Sequence, residues 1–218
     1  MPDFPPHALE TIRIPAPVGY AEMLDRQLAR HAEVAAGQAP NTLYLLEHRP
    51  VVTLGKDSDR AHLLLDRAGY ATKGIELLET SRGGDVTYHG PGQLVAYPIL
   101  NLQHWKPSVG WYLRTLEAVI IDVLAEFGLP SERVEGLTGV WVRGAKVAAI
   151  GIGVRRWTTF HGIALNVNPN MAHFGAIVPC GIADRPVTSL TLLLGAPPPF
   201  QEVEANFERC FRERFECD

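Results

Sequence analysis

The stretch Gly139-Val140-Trp141-Val142-Arg143-Gly144-Ala145-Lys146-Val147-Ala148-Ala149-Ile150-Gly151-Ile152-Gly153-Val154, with Phe160-His161-Gly162-Ile163-Ala164-Leu165-Asn166-Val167 shortly after it, decides the fold class. Small and β-branched residues fill both runs and no 3.6-residue apolar period separates them. The pattern therefore predicts successive strands at Gly139 to Val142, Val147 to Val154 and Gly162 to Val167. Strands that follow one another without a crossover helix do not make a regular βαβ array.

Outward from this stretch the apolar spacing changes. Tyr20, Met23, Leu24, Leu28, Ala32 and Ala35 recur at helical intervals and Gly37 stops them, which predicts a first helix. Thr42 to Leu46 and Val51 to Leu54 read as strands interrupted by Pro50. Ser108 is placed to cap a second helix whose apolar face (Trp111, Leu116, Val119, Ile120, Val123, Leu124, Phe127) ends before Gly128. Beyond Pro197-Pro198-Pro199 a last helix is predicted from about Gln201 to Phe215. There is no internal repeat and no low-complexity linker. The expectation is one domain over residues 1–218, of α+β class, with a mixed β-sheet and packed helices in a two-layer α/β arrangement.

Composition narrows the function classes. The 218 residues are 46% hydrophobic and 20% charged, enough to bury a core, and the formal charge of -4 provides no global attraction to nucleic acid or anionic membrane. Apolar runs such as Val147 to Ile150 are too short to span a bilayer. The N-terminal Met1-Pro2-Asp3-Phe4-Pro5-Pro6 lacks the layout of a signal or transit peptide, so a cytoplasmic chain is expected. Three cysteines, Cys180, Cys210 and Cys217, cannot all pair. Cys210 and Cys217 lie seven apart on the predicted last helix, hence on a similar face, and read as structural.

Four segments carry candidate chemistry. Arg82-Gly83-Gly84-Asp85-Val86-Thr87-Tyr88-His89-Gly90-Pro91-Gly92-Gln93 sets four glycines around one short extended run, suited either to close approach of a ligand or to a tight hairpin. Gly139 to Lys146 only imitates a phosphate loop, with one residue too many and Val147 where Ser or Thr would hold magnesium, so nucleotide binding is unsupported. Lys146 stands among small apolar residues. On a regular strand it shares a face with Ala148 and Ile150, and such a setting would desolvate the ammonium and favour a proton-shuttling amine. The competing reading is a surface lysine with its stem along the sheet and its charge in water. Phe160 to Asn168 combines a small-residue opening with strand alternation and serves equally as core. Cys180, between Pro179 and Gly181, is on a loop by composition, where a neighbouring cation makes a thiol reactive. His89, His161 and His173, with Cys180, match no standard zinc spacing, so no metal and no cofactor is expected.

In order and spacing, Arg82 to Gln93, Lys146, Gly162-Ile163-Ala164-Leu165-Asn166 and Pro179-Cys180-Gly181 together resemble the octanoyl/lipoyl protein transferase family, over about His48 to Leu190. The resemblance implies the catalytic domain shared with biotin and lipoate protein ligases. It implies transfer of octanoyl from acyl carrier protein to a lysine of lipoyl domains, in oxo-acid dehydrogenase E2 subunits and the glycine cleavage H protein. Neither nucleic acid nor membrane is implied as a partner. It further implies a catalytic pair at Cys180 and Lys146, and an acyl site lined by Arg82, Gly83, Gly84, Asp85, Val86, Thr87, Tyr88 and His89, by Ala149, Ile150 and Gly151, and by Gly162, Ile163 and Ala164. Ala149 stands where serine is also common in that pattern. The chemistry is self-consistent: thioester exchange onto a cysteine is nearly energy-neutral and aminolysis to an amide runs downhill, so no ATP is required. The alternatives are an ATP-dependent lipoate or biotin ligase of the same fold, a noncatalytic acyl-carrier or lipoyl-domain binding protein, and a cysteine amidase for which no histidine base is assignable.

Overall fold

The computed structural model describes residues 4–15, 17–178 and 185–218. Among the described residues nine strands are formed: β1 (Leu9–Arg13), β2 (Asn41–Leu46), β3 (Val51–Leu54), β4 (Glu76–Glu79), β5 (Val86–His89), β6 (Gln93–Ile99), β7 (Val140–Val142), β8 (Ala145–Arg155) and β9 (Thr158–Asn166). The helices among the described residues are α1 (Tyr20–Ala35), α2 (Arg67–Thr72), α3 (Val109–Glu126), α4 (Leu190–Leu194) and α5 (Phe200–Phe215), with short 3-10 turns besides. The strands make a six-stranded sheet in the order β1-β2-β6-β9-β8-β7 and a three-stranded sheet in the order β4-β3-β5. β1 runs parallel to β2 and β3 parallel to β4, while the other pairs are antiparallel. This is the mixed sheet with packed helices that the sequence leads one to expect.

The two faces of the larger sheet bury different sets of side chains, as the two-residue period of a strand requires. On one face Leu43, Leu45, Leu94, Ala96, Ile163 and Leu165 pack against Leu116, Ile120 and Val123 of α3 and Phe207 and Phe211 of α5. On the other, Tyr44, Leu46, Val95, Tyr97 and Ala164 meet Met23 and Val34 of α1. A third cluster of Val52, Val86, Tyr88, Tyr70, Ile75 and Ile177 fills the small sheet. At about 1.5–3 kcal/mol per fully buried large apolar side chain, these clusters are the main favourable term in folding. No helix of the described residues is long and apolar enough to cross a membrane.

α1 and α3 form where their periods place them, and the Ser108 hydroxyl accepts from Trp111 N at 3.3 Å as the cap of α3. The sequence pattern does not announce the strands β1, β4 and β6, and β6 is the central one among them. It is wholly buried and central, but Pro98 interrupts its donor row, and proline in a run argues against a central strand. The structure tolerates Pro98 because the β6–β9 ladder ends at Ala96↔Ile163, one turn of the pleat before it. Cys210 is buried in α5 as expected. Cys217, however, lies beyond Phe215 and past Glu216, whose φ of 48° turns the chain out of the helix, so the two thiols do not share a helical face.

Candidate functional site

A cavity of about 320 Å³ opens where the loop between β4 and β5 lies over β8 and β9. The loop is held there by Gly83 N donating to Ile152 O at 2.9 Å, and by Lys56 N to Arg82 O at 3.0 Å on its other side. The floor consists of Ala149 paired with Ala164 and Gly151 paired with Gly162, four small residues on one face of the sheet. Gly162 is required by its neighbours: a Cβ there would stand 2.3 Å from Ala96 O. Ile150 and Ile163 also border the cavity.

β5 contributes by alternation. Thr87 and His89 line the cavity, whereas Val86 and Tyr88, expected at the acyl site, point the other way into the small-sheet core. Tyr88 OH instead meets His173 Nδ1 at 2.8 Å, which also separates His173 from His89 and His161. Arg82, Gly83, Gly84 and Asp85 are all at the cavity. The buried Arg82 guanidinium donates to the Thr53 carbonyl at 2.8 Å and to its hydroxyl at 2.9 Å. Asp85 accepts from Asp59 N at 3.1 Å and faces His62 Nδ1 at 2.5 Å, so its carboxylate pins the loop after β3.

Lys146 is 8% exposed and lines the cavity, which excludes the reading of a solvated hairpin lysine. Its face is not the one that plain alternation assigns. The β7–β8 register passes from Val140↔Ala148 to Trp141↔Lys146, leaving Val147 as the extra residue of a bulge. Cross-strand partners share a face, so Ala148 joins Val140 in the core while Lys146 turns with Trp141 to the opposite side. The Lys146 Nζ stands 5.1 Å from the Trp141 ring centroid, a cation–π distance. On its open edge the lysine backbone takes up a further rung: Lys146 N donates to Pro186 O and Thr188 N donates to Lys146 O, both at 2.9 Å. Cys180, the other half of the expected pair, lies outside the described residues.

The sequence reading did not select Tyr20, Tyr97 and His161, which also line the cavity, nor Asp57 and the run Gly136-Leu137-Thr138. Tyr97 was hidden in the unread strand β6. His161 had a visible signal in standing directly before Gly162. It adopts φ of 58° within β9, and this left-handed turn brings its Nδ1 to 3.4 Å from Tyr20 OH. With His48 and His89 these rings form a packed cluster, Tyr20 stacking on His89 and His161 at 6.0 and 6.5 Å between centroids. Burial holds all three imidazoles neutral. It lowers His48 to about 4, His161 to about 3 with help from Arg82 and Lys56, and His89 well below its ordinary value. Gln93 donates to Tyr88 O and Asn166 Oδ1, leaving its Oε1 to accept from His89 Nδ1 at 3.2 Å, so Nδ1 carries the His89 proton.

Residues 19–212 match the lipoyl protein ligase A/B catalytic domain. The chain is 56% identical over 160 residues to an octanoyltransferase of Gloeobacter violaceus, covering 73% of this chain and 69% of that one. It is 49% identical over 183 residues to an octanoyltransferase of Geobacter metallireducens, covering 84% and 82%. Among solved structures it is similar to a putative lipoate protein ligase from T. acidophilum with bound lipoic acid, at a TM-score of 0.73 and 17% identity over 97% of this chain and 86% of that one. A likeness at that identity carries the fold, and the matches at half identity carry more. The chain belongs to the lipoyl protein ligase A/B catalytic domain family and, within it, to the octanoyltransferases.

Proposed function

We propose that this protein is an acyltransferase of lipoate biosynthesis that moves octanoyl from an acyl carrier protein thioester to a lysine of a lipoyl domain, with Cys180 as the intermediate carrier. The observation that supports this reading best is the seating of Lys146 at a small-residue cavity, its backbone laddered to residues 186 and 188, six and eight positions along the chain from Cys180. The cavity gives an acyl chain an apolar floor at Ala149, Gly151, Gly162 and Ala164, where each buried methylene is worth about 0.8 kcal/mol.

In the first half-reaction the Cys180 thiolate attacks the donor carbonyl, a new C–S bond forms, the old one breaks, and the carrier leaves as a thiol with the proton that the Lys146 ammonium gives up. In the second, the acceptor lysine amine attacks the Cys180 thioester. The C–N bond forms, the C–S bond breaks, Cys180 departs as a thiolate, and the amine's surplus proton passes to the Lys146 amine that gave up its proton in the first half-reaction. Protonated Lys146 then stabilises the thiolate for the next cycle. Neither half-reaction consumes ATP. The test is intact mass spectrometry after mixing the protein with octanoyl-acyl carrier protein and no nucleotide. The expected result is one octanoyl adduct that neutral hydroxylamine removes and that moves to an added lipoyl domain. Transfer that appears only with free octanoate and ATP would replace this reading with that of a ligase.

A further inference from the structure

Glu117 is a buried acid that the reaction above does not use. It sits on α3 at 1% exposure, within the face that packs on the large sheet. A carboxylate there is costly unless its oxygens are matched, and they are. Oε2 accepts from Arg114 Nη1 at 2.7 Å and from Arg133 Nε at 2.9 Å, two arginines whose other ends reach solvent. Arg133 Nη2 also donates to Arg114 O at 3.1 Å, which closes the clamp. Oε1 is thereby left to accept from Gly139 N at 3.3 Å.

Gly139 is the last residue before β7, and its surroundings give the contact its meaning. Its φ of 132° is open to glycine and strained for other residues. A Cβ at this position would lie 2.6 Å from Ala148 O, 2.7 Å from Lys146 Cε and 3.4 Å from Lys146 Nζ. The Gly139 backbone is therefore one wall of the channel in which the end of the lysine lies, and the Trp141 ring is another. The preceding residues, Gly136, Leu137 and Thr138, line the cavity. This loop is tied at its base by the pair of backbone bonds between Glu132 and Trp141, at 2.9 and 3.0 Å. Glu117 ties it again just inside that base, at Gly139 on one limb and Arg133 on the other.

We propose that Glu117 is a positioning residue for acyl transfer: from the opposite side of the sheet's edge strand it fixes the Gly139 peptide, and through it the direction of the Lys146 amine in the cavity. This rests on the proposed role of Lys146 as proton carrier. The separating measurement is single-turnover transfer from preloaded enzyme to a lipoyl domain, in a cycle of Glu117→Leu, Lys146→Ala and the double variant. Leucine replaces a paired buried acid with a side chain that cores accept. Glu117→Leu is expected to lower the transfer rate at least tenfold, to leave the KM for the lipoyl domain within twofold, and to shift the pH–rate profile. Glu117→Gln, which keeps an acceptor for Gly139 N, should recover part of the loss. The double variant should be no slower than Lys146→Ala alone. A wild-type rate and profile in folded Glu117→Leu overturns the proposal. Additive losses in the double variant overturn it while leaving the lysine's role intact, and an unimpaired Lys146→Ala overturns both. Should Glu117→Leu not fold, Arg133→Met loosens the same clamp from the exposed side. It is expected to slow transfer by about threefold with the same loss of additivity, and additive behaviour there overturns the proposal equally.

Discussion

The Tyr97 hydroxyl donates to His48 Nε2 at 2.7 Å, in a place where neither residue is more than 3% exposed. His48 Nδ1 bonds the Val18 carbonyl at 3.0 Å and so must carry the proton, which leaves Nε2 bare to accept. This arrangement exists only for neutral imidazole. With the folded pKa near 4 against 6.5 for the unfolded chain, the unfolded state takes the proton first on acidification. The His48 contribution is flat above pH 6.5, then costs about 2 kcal/mol by pH 5 and about 3 kcal/mol by pH 4. Thermal midpoints measured from pH 7.5 to 4.5 should fall across that window. In His48→Gln the slope should be visibly shallower, since one of the depressed imidazoles is gone. Equal slopes would mean that His48 titrates normally in the fold.

Two glycines of the cavity floor are expected to separate stability from activity. A methyl at Gly162 would meet the Ala96 carbonyl at 2.3 Å and Pro98 Cδ at 2.7 Å, both on the central strand. Gly162→Ala should therefore destabilise by about 3 kcal/mol or more, at the upper end of overpacking costs, and show itself in the unfolding midpoint. At Gly151 the same methyl meets Gly83 O at 3.1 Å and Arg82 Cδ at 3.2 Å, on the loop that roofs the cavity. Gly151→Ala should keep its midpoint within a few degrees and lose activity by displacing that roof. The reverse pattern in the two variants would refute this assignment of their roles.

Under the proposed mechanism, which requires the Cys180 thiol as nucleophile, Cys180→Ala should abolish octanoyl transfer and the hydroxylamine-sensitive adduct together. Circular dichroism and the unfolding midpoint should match the parent protein. An active Cys180→Ala protein would exclude a covalent intermediate.

Arg155 and Arg156 stand exposed at the turn between β8 and β9, with Trp157, 40% exposed, beside them. The turn holds Arg156 and Trp157 at φ of 52° and 61°, a conformation that ordinarily selects asparagine and glycine. Under the proposed function, the acidic carrier protein is the partner whose charge such a tip would complement. Arg155→Glu with Arg156→Glu should raise the donor KM about tenfold at low salt and flatten its salt dependence, with the lipoyl-domain KM unmoved. Unchanged donor kinetics would place docking on another surface.

Much of this architecture is legible in the residues. α1, α3 and α5 announce themselves by apolar period and by Gly37, Ser108 and the proline run, and these cues depend only on local chemistry. β6 does not, because the reason Pro98 is tolerated is the place where a strand some sixty residues away stops pairing with it. The facing of Lys146 is illegible for a related reason. A bulge is a property of two strands, and Val147 looks like any other strand valine until the register with Trp141 is known. Glu117 is likewise one more polar residue on α3 until Arg114, Arg133 and Gly139 are gathered around it. What sequence conveys well is which residues belong to the site by type, and what it conveys poorly is which way they point.

The rung that residues 186 and 188 add beside Lys146 bears on how, in the proposed function, one centre would serve two protein substrates in turn. In the proposed mechanism the departing carrier thiol takes its proton from the Lys146 nitrogen and the attacking acceptor amine gives one back to it, and a hinged enzyme would swing that nitrogen from one visitor to the other. Here the peptide of Lys146 is bonded on one edge to the returning chain and registered on the other with Trp141, so the freedom left to the residue is in the torsions of its four-carbon stem. The visitors must do the travelling. A fixed bench of this kind makes the order of events depend on which partner dissociates, and it predicts a ping-pong rhythm governed by encounters at the surface.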